Sequence, residues 1–426
     1  MAHSVTDDAL LLVFERVVGP EIERWPDATF EPTRAMAPFV LAAVCTRWRI
    51  LLRSTPTLWA YFGFPHDPKK FALQSSRLQV LMELSKDTAI DVVLEPGYHY
   101  DVAVKCHRIL ETIASTAKRW RNARIELSDR FVTQPLQLAL QIPEAPNLIS
   151  LSLRIDGIPL YLPMAPRLER LHVYWPYSWE IDFVLAGDLE ALTIRMPNLR
   201  AMSVISSDDG ELPINLYGQL ADQLTYLCIM VNLHDMPSPP PHVIQCPQVE
   251  SLVLRDAEFL AYLAVPKLRH LTTNAMCFYS SDGLALHAST ATELTLWGQI
   301  DPDTVEDLRL LQRIQTLRFC VPPPVGMWFD HTGTHNYAIY IDFFSTISQE
   351  DKMWPELTRL YLDAPEQGLA SFYTAELLAF VEHRNGRSLS NESKGTAKLI
   401  EVRIGKTVHG YTAELQEQLA ALVSCV

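Results

Sequence analysis

From Ala145 onward the chain repeats one arrangement of apolar and polar positions. A short turn, often with proline, leads to an apolar residue, two variable residues, a leucine, one variable residue and another apolar residue. Ala-Pro-Asn-Leu-Ile-Ser-Leu-Ser-Leu153, Ala-Pro-Arg-Leu-Glu-Arg-Leu-His-Val173, Cys-Pro-Gln-Val-Glu-Ser-Leu-Val-Leu254, Val-Pro-Lys-Leu-Arg-His-Leu-Thr-Thr273 and Trp-Pro-Glu-Leu-Thr-Arg-Leu-Tyr-Leu362 are the clearest copies. The central apolar positions are Leu151, Leu171, Leu192, Met202, Leu227, Leu252, Leu271, Leu294, Leu317, Leu360 and Val402, mostly 19 to 25 residues apart. Period-two apolar residues predict one short strand per copy, with the connecting segment returning along the outer side. A single copy cannot bury its apolar face, so the copies must stack. Leu192 and Met202 are only 10 residues apart, so one of them is not a repeat centre. The last two gaps, 43 and 42 residues, leave room for two weak hidden repeats.

The same reading places helices and loops around the repeats. A helix is predicted over residues 7–18, with Ser4 or Thr6 as cap and Leu10, Leu11, Phe14 and Val17 as its apolar stripe. The proline-containing stretch 19–37 reads as a loop. Leu41, Val44, Cys45, Trp48 and Leu52 then share one face of a helix about four turns long. Thr55-Pro56 ends it, and Leu58 and Trp59 follow on a short segment. Residues 63–70 read as a linker, 68–86 as a helix, 90–94 as a strand and 102–120 as another helix. An insertion at 322–355 interrupts the repeats, with a possible strand at 337–344. The chain closes with a helix at 372–384, a loop at 385–395, a strand at 399–404 and an amphipathic helix at 412–423 that can cap the stack.

The variable strand positions line one face and include Arg154, Arg170, His172, Tyr174, Arg195, Tyr226, Arg255, His270, Trp297, Arg318, Arg359 and Tyr361. Arg, Tyr and Trp suit protein recognition, and an ordinary solvated sheet surface accounts for them equally well. Composition narrows the partners. The 426 residues carry a net charge of -14 with no run of Lys or Arg, which leaves nucleic acid no electrostatic footprint. No apolar run reaches the length of a membrane span, and the first eight residues are polar and acidic. Seven scattered cysteines suit reduced, buried thiols, so a cytoplasmic or nuclear location is expected.

Sites for chemistry are sparse. His331 and His335 have a two-ligand spacing, but Gly333 between them favours a solvated loop. His234, His242 and Cys246 are a similarly loose group around three prolines. Gly405-Lys-Thr407 lacks the glycine run of a phosphate loop, with Ile400 where the first glycine belongs. Gly-x-Ser-x-Gly, Cys-x-x-Cys and His-Glu-x-x-His are all absent. Neither an enzymatic function nor a cofactor or metal is expected.

The N-terminal segment, with Val-Cys-Thr-Arg-Trp-Arg49 and Leu58-Trp59 after Ser-Thr-Pro56, resembles an F-box over residues 7–62. The repeats resemble irregular leucine-rich repeats over the first six positions of that pattern. The usual Leu-Pro opening of an F-box is replaced by Thr6-Asp7-Asp8, and the loop between helices is longer than the family norm. The Asn or Cys that normally follows each repeat strand is mostly missing, with Asp156 there once and Pro176, Ala257 and Pro365 elsewhere.

Together the resemblances imply an α/β chain. A small helical module at 5–62 is followed by a helical linker and cap at 63–122 and a repeat solenoid at 123–426, a curved parallel sheet with outer helices and loops. They also imply a non-catalytic substrate-recognition subunit of an SCF-type ubiquitin ligase. Leu10, Leu11, Phe14, Leu41, Val44, Cys45, Trp48, Leu52, Leu58 and Trp59 would then contact the adaptor subunit, and through it a cullin. The repeat face would hold a protein target. The alternative is a repeat scaffold whose N-terminal helices only cap the solenoid.

Overall fold

The computed structural model describes residues 5–19, 31–64, 71–94, 109–127, 142, 144–155, 162–175, 196–206, 220–231, 243–274, 288–297, 308–319, 344, 347, 353–362, 374–387, 397–404 and 413–424. The chain divides into two compact units, Met1–Gly210 and Glu211–Val426. The boundary falls within the stretch that sequence assigns to one repeat domain.

The first unit opens with α1 (Asp7–Val18), α2 (Pro32–Val44), α3 (Thr46–Ser54) and a 3-10 turn at Pro56–Trp59. It continues through β1 (Tyr61–Phe64), α4 (Phe71–Ser85), β2 (Ile90–Leu94) and β3 (Trp120–Leu127) to β4 (Ser150–Ile155), β5 (Arg170–Trp175) and β6 (Ala201–Ser206). These six strands pair parallel in chain order.

The second unit contains β7 (Tyr226–Met230), β8 (Ile244–Gln245), β9 (Ser251–Leu254), β10 (Leu263–Ala264), β11 (His270–Asn274), β12 (Glu293–Trp297), β13 (Thr316–Phe319) and β14 (Arg359–Leu362). It ends with α5 (Thr374–Arg387), β15 (Glu401–Ile404) and α6 (Ala413–Ser424). The strands β7, β9, β11, β12, β13, β14 and β15 form a parallel ladder in that order, and β8 pairs separately with β10. The fold is therefore mixed α/β, built on parallel strands in both units.

The repeat has a physical basis at both ends of its motif. Ala145, Ala165, Met196, Cys246, Val265 and Trp354 each accept a hydrogen bond from the amide three residues on, at 3.0 to 3.3 Å. Each is followed by proline, whose fixed φ suits the second position of a β-turn. Three residues after each turn closes, the central apolar positions come into register. Leu151, Leu171 and Met202 align in the first unit. Leu227, Leu252, Leu271, Leu294, Leu317, Leu360 and Val402 align in the second. All are buried, so each strand completes the core of its neighbour, as stacked repeats require.

Several expectations are corrected. Among the described residues no further strand of the ladder stands between the strands that flank the two long gaps, because β13 pairs directly with β14 and β14 with β15. One gap contains α5, and the other contains buried Phe344, which packs against Phe319 and Phe380 at ring-centroid distances of 6.3 and 5.6 Å. The ladder also starts earlier than expected. Gly63 and Phe64 belong to β1 rather than to a linker, and Trp120 begins β3 rather than ending a helix. That helix is confined, among described residues, to 109–114. Asn385 lies in α5, not in a loop, and its side chain receives a hydrogen bond from the Leu399 amide at 2.9 Å and donates to the Leu422 carbonyl at 3.0 Å. Leu192, Arg195, His331, His335, His234 and His242 lie outside the described residues, as does 337–343 of the suggested strand.

The largest correction concerns the helix expected over Leu41–Leu52. The chain leaves helical geometry at Cys45, at φ -158° and ψ 168°, and α3 starts afresh at Thr46. The guanidinium of Arg49 donates to the Ala42 carbonyl at 3.0 Å, satisfying an acceptor at the end of α2. The break lets Trp48 meet Phe14 edge-on, with ring centroids 4.9 Å apart, while Leu52 is fully buried. Residues 19–37 are likewise not all loop, since α2 begins at Pro32.

Candidate functional site

Two kinds of surface qualify as binding sites: the outer faces of the N-terminal helices and the outward faces of the strands. The helices have a compact interior. Leu10, Phe14, Leu52, Leu58 and Trp59 are buried, Leu11, Leu41 and Trp48 are half-buried, and Val44 and Cys45 are exposed. Trp59 donates its indole N–H to the Leu52 carbonyl at 2.8 Å and meets Phe39 edge-on at 5.3 Å. Arg47 ties the start of α3 to the start of α1 by donating to Asp7 and to the Val5 carbonyl. Five of the ten residues named from sequence as adaptor contacts are thus core residues that hold the helices together.

The apolar surface lies elsewhere on the same helices. Met36, Val40 and Val44 form a stripe at four-residue steps along α2, and Val40 is 60% exposed. Leu12, Val13 and Val17 are exposed on α1, and Ile50 on α3. Of the 12 exposed large apolar residues among those described, eight lie at or before Ile50, so exposure is concentrated on this bundle. Such concentration marks an interaction surface more often than scattered exposure does. A signal existed in the sequence: five consecutive apolar residues from Leu10 to Phe14 exceed what one buried helix face can hold.

Beneath the bundle sits a buried carboxylate that sequence reasoning missed. Asp91 of β2 accepts from Arg34 of α2 at 3.0 Å, from Arg121 of β3 at 2.7 and 3.0 Å, and from Asn122 at 2.8 Å. Arg34 also bonds the Val18 carbonyl at 3.0 Å and lies over the Tyr61 ring at 4.0 Å. The hydrogen bonds that Arg121 donates to Asp91 raise the Arg121 pKa above its ordinary value. Arg34, Tyr61, Asp91 and Arg121 line a cleft of about 330 Å³ with Val18, Leu58 and Ala60. Two guanidiniums around a four-bonded carboxylate form a clamp between the helices and the first strands.

On the strand face of the first unit, Arg154 lies over the Tyr174 ring at 4.4 Å. Arg170 and His172 are half-buried beside them, and Tyr174 is buried. On the adjacent strand β3, Arg124 pairs with Glu126 two residues on. The His172 Nδ1 is shielded from solvent, and burial together with the nearby Arg124 pushes the imidazole down to about 3. An unfolded histidine, near 6.5, binds a proton at a pH where the folded one does not. Stability present above pH 6.5 is therefore lost as pH falls towards 3. Denaturant unfolding at about pH 7.5 and about pH 4.5 should show a steeper loss for wild type than for His172→Gln.

The second unit carries the more open face. His270, Arg318, Arg359 and Tyr361 come together there with Glu293, Glu401 and Arg403, which were not foreseen. Glu293 takes His270 Nδ1 at 3.0 Å and Arg359 at 4.0 Å. Tyr361 donates its hydroxyl to Glu401 at 2.8 Å, and Arg403 pairs with the same carboxylate at 2.6 Å. That hydrogen bond, with Arg403 and Arg359 nearby, holds the Glu401 carboxyl below its ordinary range. Arg318 and Arg403 stand 5.0 and 5.8 Å from the Tyr361 ring centroid. Tyr226 and Arg255 are half-buried, and Trp297 is part of the core rather than the face.

Among the described residues no group of three or more His, Cys, Asp or Glu is arranged to hold a metal ion. Cys246 is buried, which pushes its thiol up to about 12, whereas Cys45 is exposed, contrary to the expectation of buried thiols. No described helix is long and apolar enough to cross a membrane. No protein-family model matches the chain, and no curated protein matches it.

Proposed function

We propose that the chain is a non-catalytic substrate-recognition subunit of an SCF-type ubiquitin ligase. The N-terminal helices, with the F-box-like Val-Cys-Thr-Arg-Trp-Arg49 segment, dock on the adaptor subunit and through it on a cullin. The outward strand faces, built on leucine-rich-repeat-like turns, bind a target protein. The observation that carries this reading is the exposed stripe Met36, Val40 and Val44 on α2, with Val13 and Val17 on α1. A bundle whose only task was to cover the end of a ladder would turn its apolar residues inward.

A second reading has its own support. The Asp91 clamp and the burial of β1 beneath the helices are what an N-terminal cap needs. In that reading the chain is a protein-binding scaffold outside any ligase. Co-expression with a ligase adaptor separates the two. Adaptor retained on the tagged chain through size exclusion supports the receptor, and a chain that elutes without adaptor supports the scaffold.

A further inference from the structure

We propose that the cleft between the N-terminal helices and the first strands binds a free α-amino acid with an apolar side chain. This inference does not depend on the ligase reading. The cleft holds about 330 Å³, at the lower end of the roughly 300–1,000 Å³ that small-molecule sites occupy. Its walls come from α1, α2, the 3-10 turn and the strands β1, β2 and β3. A ligand there would touch every element that the Asp91 clamp joins.

Charge selects a dipolar occupant. Arg34 and Arg121 share the single carboxylate of Asp91, whose side chain is 6% exposed, so these three groups leave one positive charge over at the buried end of the cleft. Glu15 balances it from the open end. It is exposed on α1, lines the same cleft and pairs with neither arginine. The four side chains therefore sum to zero. A simple anion would satisfy the arginines and face Glu15 without a partner, and a simple cation would do the reverse. A small molecule with one charge of each sign gives both ends their complement.

Donors remain for the ligand carboxylate. A guanidinium has five N–H donors in a fixed fork. Arg34 uses Nε for the Val18 carbonyl and Nη2 for Asp91, and Arg121 uses Nε and Nη2 for Asp91. The Nη1 group of each arginine is left over, and a carboxylate that takes both gains charge-assisted hydrogen bonds. The α-ammonium then meets Glu15. Val18, Leu58 and Ala60 supply an apolar wall in the same cleft, which an aliphatic or aromatic side chain would cover.

The test is calorimetric titration of the full chain with L-leucine, L-valine, L-methionine and L-phenylalanine in turn. At least one is expected to bind with a Kd of about 1 mM or tighter. The amide of that amino acid, which lacks the carboxylate, and its deaminated acid, which lacks the ammonium, should each bind at least about tenfold more weakly. Glu15→Gln should weaken the amino acid about tenfold and leave the deaminated acid unchanged. Because Glu15 is exposed, that variant should keep its fold, which circular dichroism checks. No binding of any of the four amino acids by wild type would overturn the proposal. An amide or deaminated acid that binds wild type as tightly as the amino acid would overturn it as well, because the cleft would then read one charge only. Undiminished binding of the amino acid by folded Glu15→Gln would have the same force. Adaptor capture reads the outer faces of the helices, so its outcome and this one are independent.

Discussion

Glutamate at both Met36 and Val40 should lower adaptor capture at least about a hundredfold and leave the fold intact. The two side chains are 44% and 60% exposed, one turn apart on α2, and already face solvent in the free chain. In a complex they would be desolvated, and each carboxylate would then have to lose its water without a partner. In the free chain neither substitution opens a cavity or buries a charge, so stability should change by no more than about 0.5 kcal/mol per site. Both positions precede the last turn of the helix, where an acidic residue would oppose the helix dipole. Pull-down with purified adaptor gives the binding ratio and circular dichroism the fold. Undiminished capture by the folded double variant would move the docking surface off α2. Trp48→Ala is a poorer probe, because Trp48 packs against buried Phe14 and its loss disturbs the bundle itself.

Asp91→Ala should destabilise the chain by about 3–5 kcal/mol, since removing one partner from a buried ionic network leaves uncompensated charges behind. The Asp91 side chain is 6% exposed and Arg34 is 12% exposed, so water screens this pair weakly. Without the carboxylate, Arg34 and Arg121 would be two like charges lining one cleft, and Asn122 would lose an acceptor. The consequence should reach beyond stability. Arg34 belongs to α2 and Arg121 to β3, so the helices lose their ionic tie to the strands. Urea unfolding of wild type and variant measures the loss. A change of about 1 kcal/mol or less would rank the clamp with surface ion pairs and remove it as the device that holds the bundle.

The strand register was legible because it depends on a local code. A proline turn followed by apolar residues two apart identifies the inward positions without knowledge of the neighbours; Leu151, Leu171 and Met202 align in the first unit, and Leu227 to Val402 in the second, as that code implies. The break at Cys45 was not legible, because Leu41, Val44, Trp48 and Leu52 continue a helical period straight across it. What interrupts the helix is tertiary: Phe14 draws in Trp48, and Arg49 satisfies the Ala42 carbonyl. The Asp91 clamp was half legible. An aspartate within Ile-Asp-Val-Val-Leu94 signals a buried charge in need of partners, yet Arg34 and Arg121 carry no local mark that they supply them. The open face in the second unit was found in part. His270, Arg318, Arg359 and Tyr361 were named as variable strand positions, while Glu293, Glu401 and Arg403 occupy equivalent positions that were passed over. Phe14 and Trp59 show the opposite error, since large apolar residues in a motif were taken for contacts when they build the core.

Titration of purified adaptor into the purified full chain by calorimetry is the most direct test of the ligase reading. The expected result is saturable one-to-one binding in the micromolar range or tighter, lost with Met36→Glu and Val40→Glu. No heat of binding from a chain that circular dichroism shows to be folded would contradict it, and would leave the N-terminal helices as the cap of a protein-binding scaffold.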